Sequence, residues 1–119
     1  MKYMLLCYDD DRAWNEAGEV ARRAALEEAV QLTQELKADG KYVTAAPLYP
    51  VSTATSVRLR DGNVVITDGP FAETREHLGG FYLIDARDID EAIGIARRHP
   101  GARVGTVEIR RVMEVPGLP

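Results

Sequence analysis

The sequence predicts an α+β fold: a ferredoxin-like split βαβ with an inserted β-hairpin and an antiparallel sheet. Three features carry this prediction. Strand, helix and strand follow one another twice, a hairpin signal stands between the two units, and the first strand is apolar on both faces. A length of 119 residues, 45% of them apolar, suits one domain over residues 1–119.

The first βαβ unit begins near the N-terminus. The continuous apolar run Tyr3–Tyr8 predicts a strand covered on both faces. A helix is expected over about Glu19–Asp39, because apolar residues recur there at three- and four-residue steps before Gly40. The stripe that it should bury comprises Ala25, Leu26, Ala29, Val30, Leu32, Thr33 and Leu36. Lys41–Ala46 predicts the second strand.

The hairpin is predicted by Asp61-Gly62, which stands between the alternating runs Ser56–Arg60 and Asn63–Thr67. A two-residue turn there gives one apolar face, made of Val57, Leu59, Val64 and Ile66. The opposite face carries Arg58, Arg60 and Val65.

The second unit follows a turn at Asp68–Phe71, where glycine and proline fix the backbone. At most one helical turn is expected over Glu73–His77, and Phe81–Ala86 predicts a strand. Asp88–Glu91 has capping-box spacing for a helix that should bury Ile89, Ala92, Ile93 and Ala96. The last strand is expected over about Thr106–Val115.

The two helices of a split βαβ cover only one face of its sheet. Because Tyr3–Tyr8 and Phe81–Ile84 are apolar on both faces, the second face needs a cover as well. A second copy of the chain is the simplest one, so we expect a homodimer in which two sheets pack face to face.

Composition disfavours two classes of partner. The net charge is −4 and the pI is about 5.2, whereas a general nucleic-acid binder is usually basic. No apolar run reaches the length of a membrane span. The N-terminal run is too short for a signal peptide and continues into Asp9-Asp10-Asp11. We therefore expect a cytoplasmic protein with no nucleic-acid or membrane partner, and we interpret the three acids as a solvated loop.

No metal and no cofactor are expected either. Cys7 is the one cysteine, and His77 and His99 stand 22 residues apart, without zinc-site spacing. The glycines form no phosphate-binding loop, and no nucleophile elbow is present.

Two residues are candidates for acid–base catalysis. Asp68, at the mouth of a cleft between the sheet and the turn, would act as general acid or base if partly buried. The alternative is that Asp68 caps its turn by accepting backbone N–H groups. His77 is a candidate proton shuttle near neutral pH, and the alternative is an exposed or capping histidine.

The candidate ligand-binding residues are aromatic or cationic: Tyr8, Tyr49, Arg58, Phe71, Arg75 and Tyr82. A tyrosine packs its ring and still offers a hydroxyl, and Arg75 is suited to grip a carboxylate. The competing interpretations are a hydrophobic plug for Phe71 and a solvated charged face for Arg75.

The block Asp68-Gly69-Pro70-Phe71-Ala72-Glu73-Thr74-Arg75-Glu76, followed by Leu78–Tyr82, resembles the DGPF motif of YCII-related proteins. The likeness extends to Lys2–Leu6, Ser52–Arg58 and Val107–Arg110, and thus to nearly the whole chain. The resemblance implies a dimeric α/β barrel. In some YCII-like proteins a His–Asp pair is the proposed catalytic centre, although the DGPF branch often carries glutamine at the position of His77.

Two functions are compatible with this sequence. The first is a homodimer that binds a small organic molecule beside the DGPF turn and performs cofactor-free acid–base chemistry of an isomerase or lyase type. The second is a non-catalytic accessory or regulatory module, because the resemblance links some family members to extracytoplasmic-function sigma factors.

Overall fold

Four strands form one antiparallel sheet in the computed structural model, which describes residues 1–118. These strands are β1 (Lys2–Asp9), β2 (Tyr42–Pro47), β5 (His77–Asp85) and β6 (Thr106–Arg111). The remaining two, β3 (Thr55–Arg60) and β4 (Asn63–Asp68), form a separate hairpin. The sheet order is β2-β5-β1-β6, so the strands of the first βαβ unit, β1 and β2, alternate with those of the second unit, β5 and β6. This is the predicted ferredoxin-like arrangement.

Four helices accompany the strands: α1 (Asp11–Ala17), α2 (Glu19–Ala38), α3 (Ile89–Arg97) and α4 (Gly101–Val104). The two crossover helices, α2 and α3, pack on the same face of the sheet. Their buried residues form one core with the sheet: Tyr3, Leu5, Cys7, Leu32, Leu36, Tyr82, Ile84, Ala86, Ala92, Ile95 and Ala96. Tyr82 packs its ring in this core, and its hydroxyl forms a 3.0 Å hydrogen bond with Thr33 Oγ1.

The stripe of apolar residues that each helix buries is narrower than predicted. Leu26 is 64% exposed and Val30 49% exposed on α2, and Ile89 and Ile93 are both exposed on α3, where Ile95 is buried instead. The expectation that these four residues are buried was wrong. A helix lying on a flat sheet buries a limited arc, so residues one position away from that arc turn to solvent.

The opposite face of the sheet carries no helix within residues 1–118. The half-exposed side chains on it are Met4, Leu6, Tyr8, Phe81 and Leu83. Their exposure shows that the two central strands leave apolar side chains uncovered within one chain. The edge strand β6 adds Thr106, Glu108 and Arg110 to the same face. The dimeric barrel itself stays a prediction.

Several boundaries differ from the prediction. Asp9–Asp11 does not form a solvated loop, because β1 ends at Asp9 and Asp10 caps α1 by accepting a 2.9 Å hydrogen bond from the Arg12 N–H. No helical turn covers 73–77, and β5 begins at His77, four residues before the predicted strand. The last strand ends at Arg111 rather than near Val115.

The β3–β4 hairpin has the predicted register, with Leu59 opposite Val64 and Val57 opposite Ile66. The Cα atoms span 47 × 45 × 19 Å. The shortest dimension is the thickness of two layers, and the other two are wide because the hairpin extends beyond the sheet. Within residues 1–118 no helix is long and apolar enough to cross a membrane.

Candidate functional site

An open cleft of about 130 Å³ lies where β1 ends and β5 begins. The loop after β2 forms its other wall, and the backbone N–H of Leu48 holds that loop to the Gly79 carbonyl at 2.9 Å. The side chains that give the cleft its chemistry are Asp9, Asp11, Tyr49 and His77.

A β-bulge places His77 beside Asp9. Along β5, Tyr82 and Gly80 pair with residues of β1 that face the helices. The register then shifts by one residue at Gly79, so that His77 rather than Leu78 faces the helix side. His77 is the cross-strand partner of Asp9, and side chains at such positions are neighbours on one face of a sheet.

The Asp9 carboxylate is partly withdrawn from water. Burial raises the pKa of Asp9 above its usual value, and the nearby charges of Asp11 and Glu76 raise it further. A 2.6 Å hydrogen bond from Trp14 Nε1 to Asp9 Oδ2 acts in the opposite direction and fixes the carboxylate. Asp9 is thus an oriented acid that holds its proton more tightly than a surface aspartate.

His77 brings an unused polar atom to the same place. Its Nε2 is shielded from solvent and has no hydrogen-bond partner within residues 1–118. Buried polar atoms are nearly always paired, so an unpaired ring nitrogen in a cleft that an oriented carboxylate also lines is a position that a ligand can complete.

Comparison with known proteins places this chain in a family. The model of the YCII-related domain matches residues 1–116. The chain belongs to the YCII-related domain family. It is also similar to an uncharacterised protein of Rhizobium meliloti (strain 1021), with 34% identity over 112 residues that cover 92% of this chain and 90% of the relative.

The structure of this YCII-related protein brings together two of the predicted site residues, because Tyr49 and His77 both line the cleft. Tyr49 stands at its rim with 86% of its surface exposed. Arg75 lies nearby on the outside, where its Nε is 3.5 Å from Asp10 Oδ2. That ion pair joins the DGPF segment to the start of α1.

The other predicted residues lie elsewhere. Tyr82 is in the core, and Tyr8 lies on the open face of the sheet. Phe71 is 78% exposed, so the expectation that it plugs a hydrophobic gap was wrong for the single chain. Arg58 reaches back from the hairpin to the Phe71 carbonyl at 3.5 Å.

Asp68 ends β4 and lies outside the cleft. Within residues 1–118 its carboxylate accepts no hydrogen bond, so the expected turn cap is wrong as well. The backbone closes the turn instead: the Gly69 N–H donates to the Ala54 carbonyl at 2.6 Å, and the Gly69 carbonyl accepts from Ser56 Oγ at 2.8 Å. The catalytic role predicted for Asp68 stays a prediction.

Asp9 is the site residue that the sequence analysis missed. The available signal was its place directly after an apolar strand, two residues beyond buried Cys7 and thus on the same face. Within residues 1–118, no three histidine, cysteine or acidic side chains come together as a group that could hold a metal ion.

Proposed function

We propose that this YCII-related protein binds a small organic molecule in the cleft and transfers a proton with Asp9 and His77. The single observation that carries this proposal is that His77, whose Nε2 is unpaired, is the cross-strand partner of the partly buried Asp9 and lines the same cleft. Two titratable groups in different environments, joined on one face, are the arrangement that general acid–base catalysis uses.

The roles follow from the surroundings of each group. In its ionised form the Asp9 carboxylate has lost part of its hydration, so it is a stronger base than a solvated aspartate. The imidazole of His77 can accept a proton at one ring nitrogen and donate one from the other, so it can return a proton to a second atom of the same ligand. This pair suits isomerase- or lyase-type chemistry, in which one proton is removed and another is delivered.

The dimensions of the cleft restrict the ligand. The cleft of about 130 Å³ is open to solvent, so it suits a small molecule or one end of a larger one. The aromatic ring of Tyr49 at the rim offers an apolar wall beside the polar pair.

The active form that we propose is a homodimer. Support comes from the uncovered sheet face, on which the apolar side chains of Met4, Leu6 and Phe81 are only half-buried. Packing two such faces together removes both from water at once. The sigma-factor-linked accessory module is the competing proposal, and it predicts ligand binding or assembly without turnover.

Deuterium incorporation tests the chemistry. The wild type is incubated in D₂O with a panel of small ketones, lactones and keto acids, and loss of C–H signals is followed by ¹H NMR. We expect exchange in at least one compound, and its loss in Asp9→Asn and in His77→Gln. Asp90→Asn, at an exposed position on α3, is the matched control and should exchange like the wild type. Ligand-induced shifts without exchange would favour the accessory module.

A further inference from the structure

The β3–β4 hairpin projects from the domain with both of its faces in water. Its apolar face is largely exposed: Val57 66%, Leu59 65%, Val64 64% and Ile66 66%. A two-stranded hairpin without a packed face is marginally stable in water. This projecting element, residues 55–68, is called the arm below.

We infer that the apolar face of the arm docks on a second copy of the chain, and that docking stabilises the wall of the Asp9–His77 cleft. The inference rests on the proposed homodimer, and it adds a second contact surface and a link between assembly and site. In this arrangement the DGPF motif connects the arm to the wall of the cleft.

Buried area favours a second copy as the occupant. Burying the exposed two-thirds of four aliphatic side chains removes on the order of 300 Å² per arm. A two-fold dimer forms this contact twice, and each arm covers a comparable area on the other chain, so the total reaches on the order of 1,200 Å². That is the lower bound of a stable interface before the open sheet face contributes.

Charge on the arm is consistent with this orientation. The other face of the arm carries Arg58 and Arg60, which remain solvated when the apolar face docks. Of the two faces, only the one with Val57, Leu59, Val64 and Ile66 can therefore be buried without removing a guanidinium group from water.

The base of the arm is tied to the cleft by a short series of backbone hydrogen bonds. Gly69 N–H donates to the Ala54 carbonyl at 2.6 Å, and Ala54 N–H donates to the Val51 carbonyl at 3.0 Å. Val51 lines the cleft, and Leu48 N–H bonds the Gly79 carbonyl on the opposite wall at 2.9 Å. Restricting the motion of the arm therefore restricts the motion of the cleft wall.

Two neighbouring valines provide the test. Val64→Lys places a charge on the apolar face of the arm, and Val65→Lys places the same charge on the opposite face. Sedimentation equilibrium measures the dimer dissociation constant of each variant. Hydrogen exchange is followed by mass spectrometry in peptides covering residues 47–54 and 75–81, and a peptide covering residues 29–38 of α2 reports whether the fold is retained.

We expect Val64→Lys to weaken the dimer at least tenfold and to speed exchange in the two cleft peptides, whereas Val65→Lys behaves like the wild type. Equal dissociation constants for all three proteins, or equal weakening by both variants, would overturn docking through this face. A weaker dimer with unchanged cleft exchange would overturn the link to the cleft. A wild type that is monomeric at micromolar concentration would overturn both the proposed homodimer and the docking of the arm, but proton transfer would be unaffected by that result.

Discussion

The carboxylate of Asp9 lies directly over Gly79: a Cβ atom added at Gly79 would stand 3.2 Å from Asp9 Oδ1. Trp14 Nε1 holds the same carboxylate at 2.6 Å, so it has little room to move away. The bulged residue of β5 and the partly buried acid of β1 are thus fitted to one another, and glycine at position 79 leaves the space that the acid occupies.

Replacing Gly79 with alanine should damage both stability and site geometry. The added methyl group displaces Asp9 from Trp14, and weakening that charge-assisted hydrogen bond should cost about 1 kcal/mol of unfolding free energy. Urea denaturation measures this cost. The matched control is Gly94→Ala on α3, where a Cβ would meet no atom within 4 Å. Because alanine favours the helix, that variant should gain about 0.5–1 kcal/mol. A gain in both variants would contradict the fit between Asp9 and Gly79.

The sequence was sufficient to predict those parts of the fold that local chemistry determines. The Asp61-Gly62 turn sets the hairpin register, and the apolar run Tyr3–Tyr8 forms the first strand. Both features depend on residues that are adjacent in the chain. The order of the strands pairs segments that are distant in the sequence, and it agrees with the split βαβ pattern to which the succession of elements pointed.

The Asp9–His77 pair could not be predicted in this way. Its two members are 68 positions apart, and only the register of β1 against β5 joins them. That register contains a bulge at Gly79, which reverses the side-chain alternation for the residues before it. A period-2 pattern carries no signal for one inserted residue, so His77 appeared to lie in a turn and Asp9 in a loop.

Asp9→Asn should make the protein more stable at neutral pH while abolishing proton transfer. Because the pKa of Asp9 is raised in the folded state, the folded protein binds this proton more tightly than the unfolded chain. Stability is therefore lost as pH rises from the ordinary value of 3.8 through the folded pKa. The amide removes this loss, and its oxygen can still accept the Trp14 hydrogen bond.

Thermal unfolding between pH 4 and pH 7.5 checks this expectation. The melting temperature of Asp9→Asn relative to the wild type should increase with pH across the lower part of that range and then level off. A difference that is constant over the whole range would show that Asp9 has the same proton affinity in both states.

His99 should give the opposite dependence at a higher pH. Burial lowers the pKa of His99, and although the charge of Glu28 raises it, the charge of Arg103 lowers it again. The neutral ring accepts the Gly101 N–H at Nδ1, 2.9 Å away, and its edge meets Tyr82. Because the unfolded chain takes up this proton first, stability is lost as pH falls below about 6.5 towards the folded pKa.

The variant His99→Asn retains an acceptor for the Gly101 N–H but cannot titrate. We expect it to be less stable than the wild type at pH 7.5, because it loses the ring contact with Tyr82, and to lose less stability than the wild type between pH 7 and pH 5. Urea denaturation at four pH values across this interval provides the measurement. Parallel curves for the two proteins would assign the acid sensitivity to other groups.

Two adjacent residues of the Asp68–Phe71 turn should respond very differently to alanine. Gly69 has φ = 95°, a conformation that costs a residue with a side chain about 1–2 kcal/mol, and its N–H closes the base of the arm on Ala54. Gly69→Ala should therefore lower the unfolding free energy by at least about 1 kcal/mol and speed amide exchange in residues 54–69.

Asp68 is exposed, and within residues 1–118 its carboxylate accepts no hydrogen bond, so Asp68→Ala should stay within about 0.5 kcal/mol of the wild type. Urea denaturation of the two variants decides between backbone and carboxylate as the element that holds this turn. If Asp68→Ala cost as much as Gly69→Ala, the carboxylate would be a structural group of the turn.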